Sequence, residues 1–485
     1  MGKAHAIVIG GSMAGLCAAR VLARFYDKVT VIDRDAYPAG AHERPGVPQS
    51  RHVHALLMRG RLELDRLFPG FEKTMLERGA LEINFGRDFA ALRPDGWAER
   101  RPNTIATLFA SRVLIEATVR ELCRRVANVE LIERAEAVGF ETVRGDSLRA
   151  RGVKVNPRDG GGAFTLSGDL IVDASGRATK CPSWIEAMGL PMPAETVVDS
   201  HTGYASRWYK VNPARRPKDW WWKGIWIDPI AQEFSTAGVL FPVEGNRMIV
   251  TMAGIGGHYP PSRDDEFTAA LAHLRSPIIA EEVALAEPMS QVYSYRQMAN
   301  RWRHYEKWGA RLDGFVAIGD SSCAFNPVYG QGMTSGALSA LILGDCLEKN
   351  GINDAELPRK FFEAQARFQA EPWGLATGAD FRIPGTDGKR PLISRVLDPL
   401  IGKMFQVGDD DPAIADRIGE VINMMKPPSA LLDKSMLRLI AKAWSRRLIK
   451  GRRYRRESAA MPPPALDAVA AGDGGIEGSA RALNP

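Results

Sequence analysis

The chain opens with an apolar run, His5–Gly10 (HAIVIG), rich in β-branched residues and closed by glycine. That is the pattern of a strand buried on both faces of a parallel sheet. Helical spacing follows over Leu16–Tyr26, with small Ala18 and Ala19 able to lie close on a sheet, and a second apolar run, Lys28–Ile32, ends in Asp33. Far downstream, Gly314–Gly319 (GFVAIG) reads as another buried strand and Thr334–Leu347 as a helix of small and apolar residues. Between them, Gly203–Val211, Gly224–Ile227, Thr236–Pro242 and Arg247–Gly254 alternate and are broken by turns, which predicts an antiparallel sheet. Glu266–Leu274 and Ile278–Ala286 read as helices, as does most of the chain from Leu357, with Pro and Gly breaks around Arg382–Pro391. In Leu431–Arg456, apolar Leu437, Ile440, Trp444 and Leu448 recur at helical spacing beside basic Lys434, Arg438, Lys442 and Arg446.

Gly10-Gly11-Ser12-Met13-Ala14-Gly15 joins the first strand to the first helix. Strand, tight glycine turn, helix, strand and acid form a dinucleotide-binding βαβ unit. Gly10 permits the sharp exit from the strand, and Gly15 lets the helix pack against it. The helix N-terminus points free N–H groups at a pyrophosphate. Asp33, with Arg34 beside it, is the expected adenosine-ribose contact. Ser12 stands where the middle glycine is usual; it is small enough for backbone approach and adds a hydroxyl donor. This unit alone leaves NAD and FAD open.

The second strand–turn–helix decides between them. Asp320 follows the strand Gly314–Gly319, and Pro327-Val328-Tyr329-Gly330-Gln331-Gly332-Met333 opens the next helix. A carboxylate at a strand end suits a ribityl hydroxyl. A Pro-x-x-Gly-x-Gly turn offers N–H groups to the pyrimidine edge of a flavin, where negative charge develops on reduction. The cofactor read from these two motifs is FAD.

Composition narrows the rest. The chain has 485 residues, enough for two or three domains, with the apolar and charged content of a soluble globular protein. Its formal charge of +7 is local: ten Lys or Arg and no acid lie between Lys434 and Arg456, and the remainder is slightly acidic. No nucleic-acid-binding body is expected. A basic amphipathic helix at 431–456 suits either peripheral contact with an anionic membrane or docking on the body with a solvated face. Five scattered cysteines without a Cys/His cluster predict no metal site and fit a reducing compartment. No apolar run is long enough to span a membrane, and no secretory leader is visible before the first strand. A cytoplasmic protein, possible membrane association aside, is expected.

These motifs resemble the class A flavoprotein monooxygenases, the para-hydroxybenzoate hydroxylase superfamily. Gly10, Ser12, Gly15 and Asp33 match its FAD fingerprint, and Gly319-Asp320 with Pro327, Gly330 and Gly332 match its second flavin motif. Ser111-Arg112 sits where that family has an arginine near the ribityl–pyrophosphate region. Leu170–Arg177 (LIVDASGR) resembles its DG region, with Ala174-Ser175 inserted before Gly176. Arg44–His54 (RPGVPQSRHVH) and Ala324–Met333 (AFNPVYGQGM) are similar to a subgroup containing bacterial polyether epoxidases. The loop Arg44–His54 is expected against the flavin or its ribityl chain, with Arg44 the cofactor contact; His52 and His54 are too close in sequence to share a helix face as a metal pair.

The resemblance implies an α/β fold. A Rossmann-like FAD-binding domain of glutathione-reductase type would use residues 1–60, 101–180 and 310–346. An antiparallel-sheet substrate domain would use 61–100 and 181–309, followed by a helical C-terminal region, 347–460, and a disordered tail, 461–485. It also implies a monooxygenase: NAD(P)H, docking transiently because no second glycine-rich βαβ unit exists, reduces FAD, and dioxygen then gives a flavin hydroperoxide. That oxidant would epoxidise or hydroxylate a large apolar polyene or aromatic substrate, which the aromatic run Trp220-Trp221-Trp222 and its neighbours would wall. No catalytic base is evident by spacing, which favours an alkene. Flavin halogenases carry W-x-W-x-I-P, whereas Trp222–Pro229 is spaced differently. FAD-dependent reductases of isoprenoid double bonds share the scaffold and the Asp-Ala-Ser-Gly of Asp173–Gly176, and are the alternative.

Overall fold

The computed structural model describes residues 3–450 except residues 146, 231–232 and 409–410; the expected tail 461–485 and the end of the basic segment, 451–456, lie outside the described residues. Five short strands form a parallel sheet: β1 (His5–Ile9), β2 (Lys28–Ile32), β3 (Val129–Ile132), β4 (Leu170–Asp173) and β5 (Phe315–Ala317), in the order β5-β4-β1-β2-β3. Ile7, Val8, Val31, Ile171, Val172 and Val316 are all buried, as unbroken apolar runs require of a sheet covered on both faces. The first helix, α1 (Met13–Leu22), starts inside the glycine motif rather than after it and ends before Tyr26. Gly15 does not delay the helix, because its missing side chain is what allows the close approach to β1.

The cover is α1, α2 (Arg112–Arg124) and α3 (Gly332–Asn350). The helices α1 and α3 pack through glycine: a methyl added at Gly336 would meet Ala14, and one at Gly344 would lie 2.7 Å from Val21 Cγ1. An antiparallel ribbon, Ala135–Arg144, Leu148–Pro157 and Phe164–Ser167, fills the crossover from β3 to β4.

The expected second sheet is present, with strands Gly203–Lys210, Arg247–Gly254, Thr236–Val243 and Gly224–Ile227 as antiparallel neighbours. It departs from the antiparallel expectation at one edge. Phe89–Arg93 adds parallel to Gly224–Ile227, because it arrives from a distant part of the chain by a crossover rather than through a hairpin. One face of this sheet buries Ala205, Tyr209, Leu240 and Val250 under the helices Asp264–Leu271 and Ile278–Ala284. The opposite face carries Tyr204, Ser206, Trp208, Ala237, Val239, Phe241 and Ala253 and is turned toward the parallel-sheet layer.

The C-terminal region is helical as expected: α4 (Leu357–Asp380), α5 (Leu392–Gly408), α6 (Pro412–Ile422) and α7 (Lys434–Lys450). Phe361 and Phe362 of α4 join the main core, with Tyr305 stacked on Phe362 at 4.8 Å. Met404, Val407, Ile414 and Ile418 make a smaller core with Met436, Ile440 and Ala443 of α7. Of the apolar stripe on α7, Ile440 is therefore covered and Trp444 half-covered, while Leu437 and Leu448 face outward. Among the described residues no helix is long and apolar enough to cross a membrane. Gly344→Val should wedge α1 from α3 and cost about 1–3 kcal/mol of stability, as overpacking of a tight core does; urea unfolding midpoints of the two proteins measure it, and an unchanged midpoint would refute the close-packing role.

Candidate functional site

The glycine turn is constrained by backbone at Gly10 and Gly15 and by the Tyr37 side chain at Gly11. Gly10 has φ +102°, and a Cβ there would lie 2.5 Å from the carbonyl oxygen of Ala174. A Cβ on Gly15 would lie 1.8 Å from the Gly10 oxygen, and one on Gly11 1.8 Å from the hydroxyl of Tyr37. Ser12 is the N-cap of α1 in extended conformation, yet its side chain makes no cap bond to the helix. Its hydroxyl instead donates to Glu116 Oε2 (2.6 Å) and accepts from Arg112 Nη2 (2.9 Å). A glycine there could do neither, which accounts for the departure from the usual motif.

Around this turn lies a buried ionic knot. Arg44 Nη1 donates to both oxygens of Asp33 (3.1 and 3.0 Å) and to Asp35 (2.9 Å), and its Nε donates to Glu116 Oε1 (2.8 Å). Arg112 Nη2 reaches Glu116 Oε2 at 2.9 Å, and Gly11 N–H donates to Asp33 Oδ2 at 2.8 Å. Desolvation alone would raise the Glu116 carboxyl, but Arg112, Arg44 and the Ser12 hydroxyl outweigh it and hold the pKa at about 2. Asp33 behaves differently: burial pushes it up, with Arg44 and two backbone N–H groups opposing. Arg34 is exposed at the strand end, and Asp35 takes the inward position next to Arg44. Glu116 and Asp35 escaped sequence reasoning. The available signal for Glu116 was its position one helical turn after Arg112, which puts both on one face.

The second motif adjoins the same end of α1: a Cβ on Gly319 would lie 2.9 Å from Ala14 Cβ, in the first turn of that helix. Asp320 sits in a short turn after β5, and Gly332 opens α3 with its Cβ direction 3.7 Å from Asp320 Oδ1. Burial pushes the Asp320 carboxyl up, against the opposing pull of Arg177, Arg303 and Arg112. Asn326 caps the turn Pro327–Tyr329, and Gly330 at φ +68° returns the chain toward α3. Gln331 is the N-cap of α3 without a side-chain cap bond, and its buried Oε1, with the hydroxyls of Thr334 and Ser335, has no partner among the described residues. Met333 packs half-buried against the main core.

The loop from Arg44 to Leu57 links the two motifs to the second sheet. Its Ala55 oxygen lies 3.6 Å from the Cβ direction of Gly330. His52 Nδ1 pairs with Ser206 Oγ (2.9 Å), its ring meets Tyr204 edge-on at 4.5 Å, and Trp208 Nε1 donates to the Arg51 oxygen (2.8 Å). Burial, then the neighbouring His54 and Arg51, push His52 down to about 3; burial, then Arg112, push His54 down to about 4. Both are neutral at physiological pH. Tyr204 stacks on Tyr295 at 5.6 Å, and Tyr295 in turn feels the Asp320 carboxylate. His52 thus lies against an aromatic roof of Tyr204 and Tyr295, and His54 is tied to it through the His52 carbonyl at 3.0 Å. The Asp173–Gly176 segment is a structural clasp: buried Asp173 accepts from Ser175, Thr179 and Ser321, tying β4 to the turn after β5.

The donor set has the chemistry that a flavin dinucleotide requires. The first turn of α1 carries amides that no intrahelical bond can use. Arg112 Nη1 and the Tyr37 hydroxyl are buried beside them with no partner among the described residues. A second helix N-terminus, that of α3, with the Asp320 carboxylate next to it, stands close by. No metal-binding group of His, Cys, Asp or Glu occurs among the described residues.

Comparison with known proteins agrees with this reading of the fold. Protein Rv3254 of Mycobacterium tuberculosis is 30% identical over 424 residues, spanning 85% of this chain and 88% of its own. The chain belongs to the family of that mycobacterial protein. Kynurenine 3-monooxygenase of Salinispora tropica is 24% identical over 448 residues, covering 86% of this chain and 84% of its own. Among solved structures, the flavin-dependent brominase Bmp2 superposes with a TM-score of 0.63 at 14% identity, over 92% of this chain and all of that one. The fold is therefore that of the FAD-binding flavoprotein monooxygenases and halogenases. No protein-family model matches the chain.

Two outcomes follow from the site. Glu116→Ala leaves Arg44 and Arg112 short of a buried carboxylate and should destabilise the cofactor-free protein by about 3–5 kcal/mol. The loss should shrink when FAD is present, because a pyrophosphate restores negative charge; unfolding midpoints with and without FAD test this, and equal losses would refute it. For His52, the folded state stays neutral down to about pH 3 while the unfolded chain protonates below about 6.5. Stability is then complete above about pH 6.5 and falls as pH drops, by about 2 kcal/mol at pH 5. His52→Gln should flatten that slope in urea melts at pH 7.5 and 5.

Proposed function

We propose that the protein is an FAD-dependent monooxygenase that uses NAD(P)H and dioxygen to oxygenate a large apolar substrate, a polyene or an aromatic compound of secondary-metabolite type. The observation that carries this reading is the meeting of two helix N-termini, with Ala14 of α1 against Gly319 and Gly336 and the Asp320 carboxylate 3.7 Å from the Cβ direction of Gly332 at the start of α3. The names of relatives such as kynurenine 3-monooxygenase support the oxygenase class. In this assignment the amides of Ser12, Met13 and Ala14 hold the pyrophosphate with Arg112, whose Nη1 has no partner among the described residues, while Gly11, the Ser12 hydroxyl and Arg44 hold the turn in place through Asp33 and Glu116. Gly10 and Gly15 shape that turn, and Asp33 with Arg34 serves the adenosine side. Asp320 takes the ribityl hydroxyls, and the turn Pro327–Gly330–Gly332, with Met333, presents its amides to the pyrimidine edge.

FAD, when bound, supplies electron transfer from NAD(P)H and activation of dioxygen. The chain's part is to position, to compensate charge and to exclude water. The N-terminus of α3 favours the negative charge of a reduced flavin. The roof keeps water from the reacting centre with Tyr204, Ala237, Ala253 and Met298, all buried. His52 and His54, with pKa values pushed to about 3 and about 4, are too weakly basic to ionise a phenol, and burial raises the Tyr204 and Tyr295 phenols. Oxygen transfer that needs no base, above all epoxidation as in the polyether-epoxidase-like subgroup, suits this surrounding best. FAD-loaded protein incubated with NADPH, labelled dioxygen and candidate polyenes or phenols should yield product carrying the label by mass spectrometry. Anaerobic NADPH oxidation coupled to loss of a substrate double bond would overturn this in favour of a reductase, and halide incorporation in favour of a halogenase.

A further inference from the structure

One fully buried carboxylate outside the expected motifs holds the flavin turn. Asp380, the last residue of α4, is 0% exposed. It accepts from Asn300 Nδ2 (2.6 Å), from the Tyr329 hydroxyl (2.6 Å) and from Asn326 Nδ2 (3.2 and 3.3 Å). Asn300 Oδ1 also accepts from the Asn326 backbone N–H at 2.7 Å, and Asn326 Oδ1 accepts from Val328 N–H at 3.2 Å. The same helix places Gln365 3.1 Å from the Ser322 hydroxyl, at the start of the motif segment. The site is an adverse one for a carboxylate. It is stripped of water and sits at the negative end of a long helix dipole. Side-chain donors from Tyr329, Asn326, Asn300 and Ser200 offset this, and two of the four belong to the turn that precedes α3.

We propose that Asp380 is a positioning residue for the flavin end of the cofactor: by gripping Asn326 and Tyr329 it sets the Pro327–Gly332 turn, and with it the amides that open α3. The inference rests on the FAD reading above. It assigns the helical C-terminal region a part in cofactor geometry, through a carboxylate that touches neither cofactor nor substrate. The two halves of the cofactor site then depend on different parts of the chain. The hydrogen bonds of the ionic knot, which hold the adenosine diphosphate half, involve no residue of α4 among the described residues, while the flavin half depends on Asp380.

That division supplies the test. Apo-protein is titrated separately with ADP and with FAD by calorimetry, for the parent, Asp380→Asn and Tyr329→Phe. Asp380→Asn keeps the size but turns an acceptor into a donor facing donors. ADP affinity should stay within about two-fold of the parent, whereas FAD affinity should fall by about ten-fold or more, the equivalent of one lost hydrogen bond to a charged group. The visible flavin spectrum and the midpoint potential of the loaded variant should shift as well. Tyr329→Phe, which keeps the buried charge, should show the same pattern more weakly and serves if Asp380→Asn fails to fold. A folded variant with parental FAD affinity, spectrum and potential would overturn the proposal, as would equal weakening toward ADP and FAD. A parent that binds ADP but not FAD would instead overturn the FAD reading itself, and this proposal with it.

Discussion

Everything in this site depends on packing three carboxylates against two guanidiniums in the protein interior. Asp33, Asp35 and Glu116 surround Arg44, and Arg112 shares Glu116 with the Ser12 hydroxyl. Each charge alone would be costly to bury, and each is tolerated because its partners are in hydrogen-bond contact. The knot draws together the end of β2, the loop after it, the face of α2 and the glycine turn, four segments that no apolar contact would align so narrowly. The glycines contribute space and the knot contributes orientation. Without Glu116, Arg44 and Arg112 would have no common anchor, and the helix N-terminus would lose its lateral walls.

The second constraint is mechanical. The loop Arg44–Leu57 leaves the knot, passes the flavin turn at Ala55 and is pinned to the second sheet by His52 and by the Trp208 indole. Because His52 is held neutral by burial, this pin is a neutral hydrogen bond and adds no charge beneath the aromatic roof. The roof and the cofactor layer are thus coupled through one loop as well as through apolar contact. A change in the spacing of the two layers would have to be absorbed there.

A third link runs through α4. Its apolar side, Phe361 and Phe362, belongs to the main core, while Gln365, Gln369 and Asp380 present a buried polar side to residues 322–329. The C-terminal helices α5, α6 and α7 close a separate, smaller core. α4 thus links the C-terminal region to the site, and Asn423, just after α6, adds a second link by accepting from the Met58 N–H at 3.0 Å where the loop Arg44–Leu57 ends.

Local features of this protein were legible in the residues themselves. The strands β1 and β2, the glycine turn, Asp33, Asp320 and the α3 turn could be read because each is a short-range pattern: an apolar run, a glycine required by backbone contact, an acid at a strand end. The alternating runs of the second sheet were readable for the same reason, since burial of one face imposes period two. What the chain order could not reveal is pairing at long range. That Phe89–Arg93 would join the second sheet, that Glu116 would bind Ser12 and Arg44, and that Asp380 would grip Asn326 are contacts between distant segments. The ribbon over residues 135–167 escaped notice because its outer strands carry few buried apolar residues, even though Ala150, Val153 and Val155 of its middle strand are buried. The sequence by itself determined a βαβ dinucleotide unit and a flavin-type turn, because hydrophobic period and glycine sterics act within a few residues. Tertiary structure alone decided which charges neutralise one another in the interior, because that balance is struck only when chain folding brings remote acids and bases into a site without water.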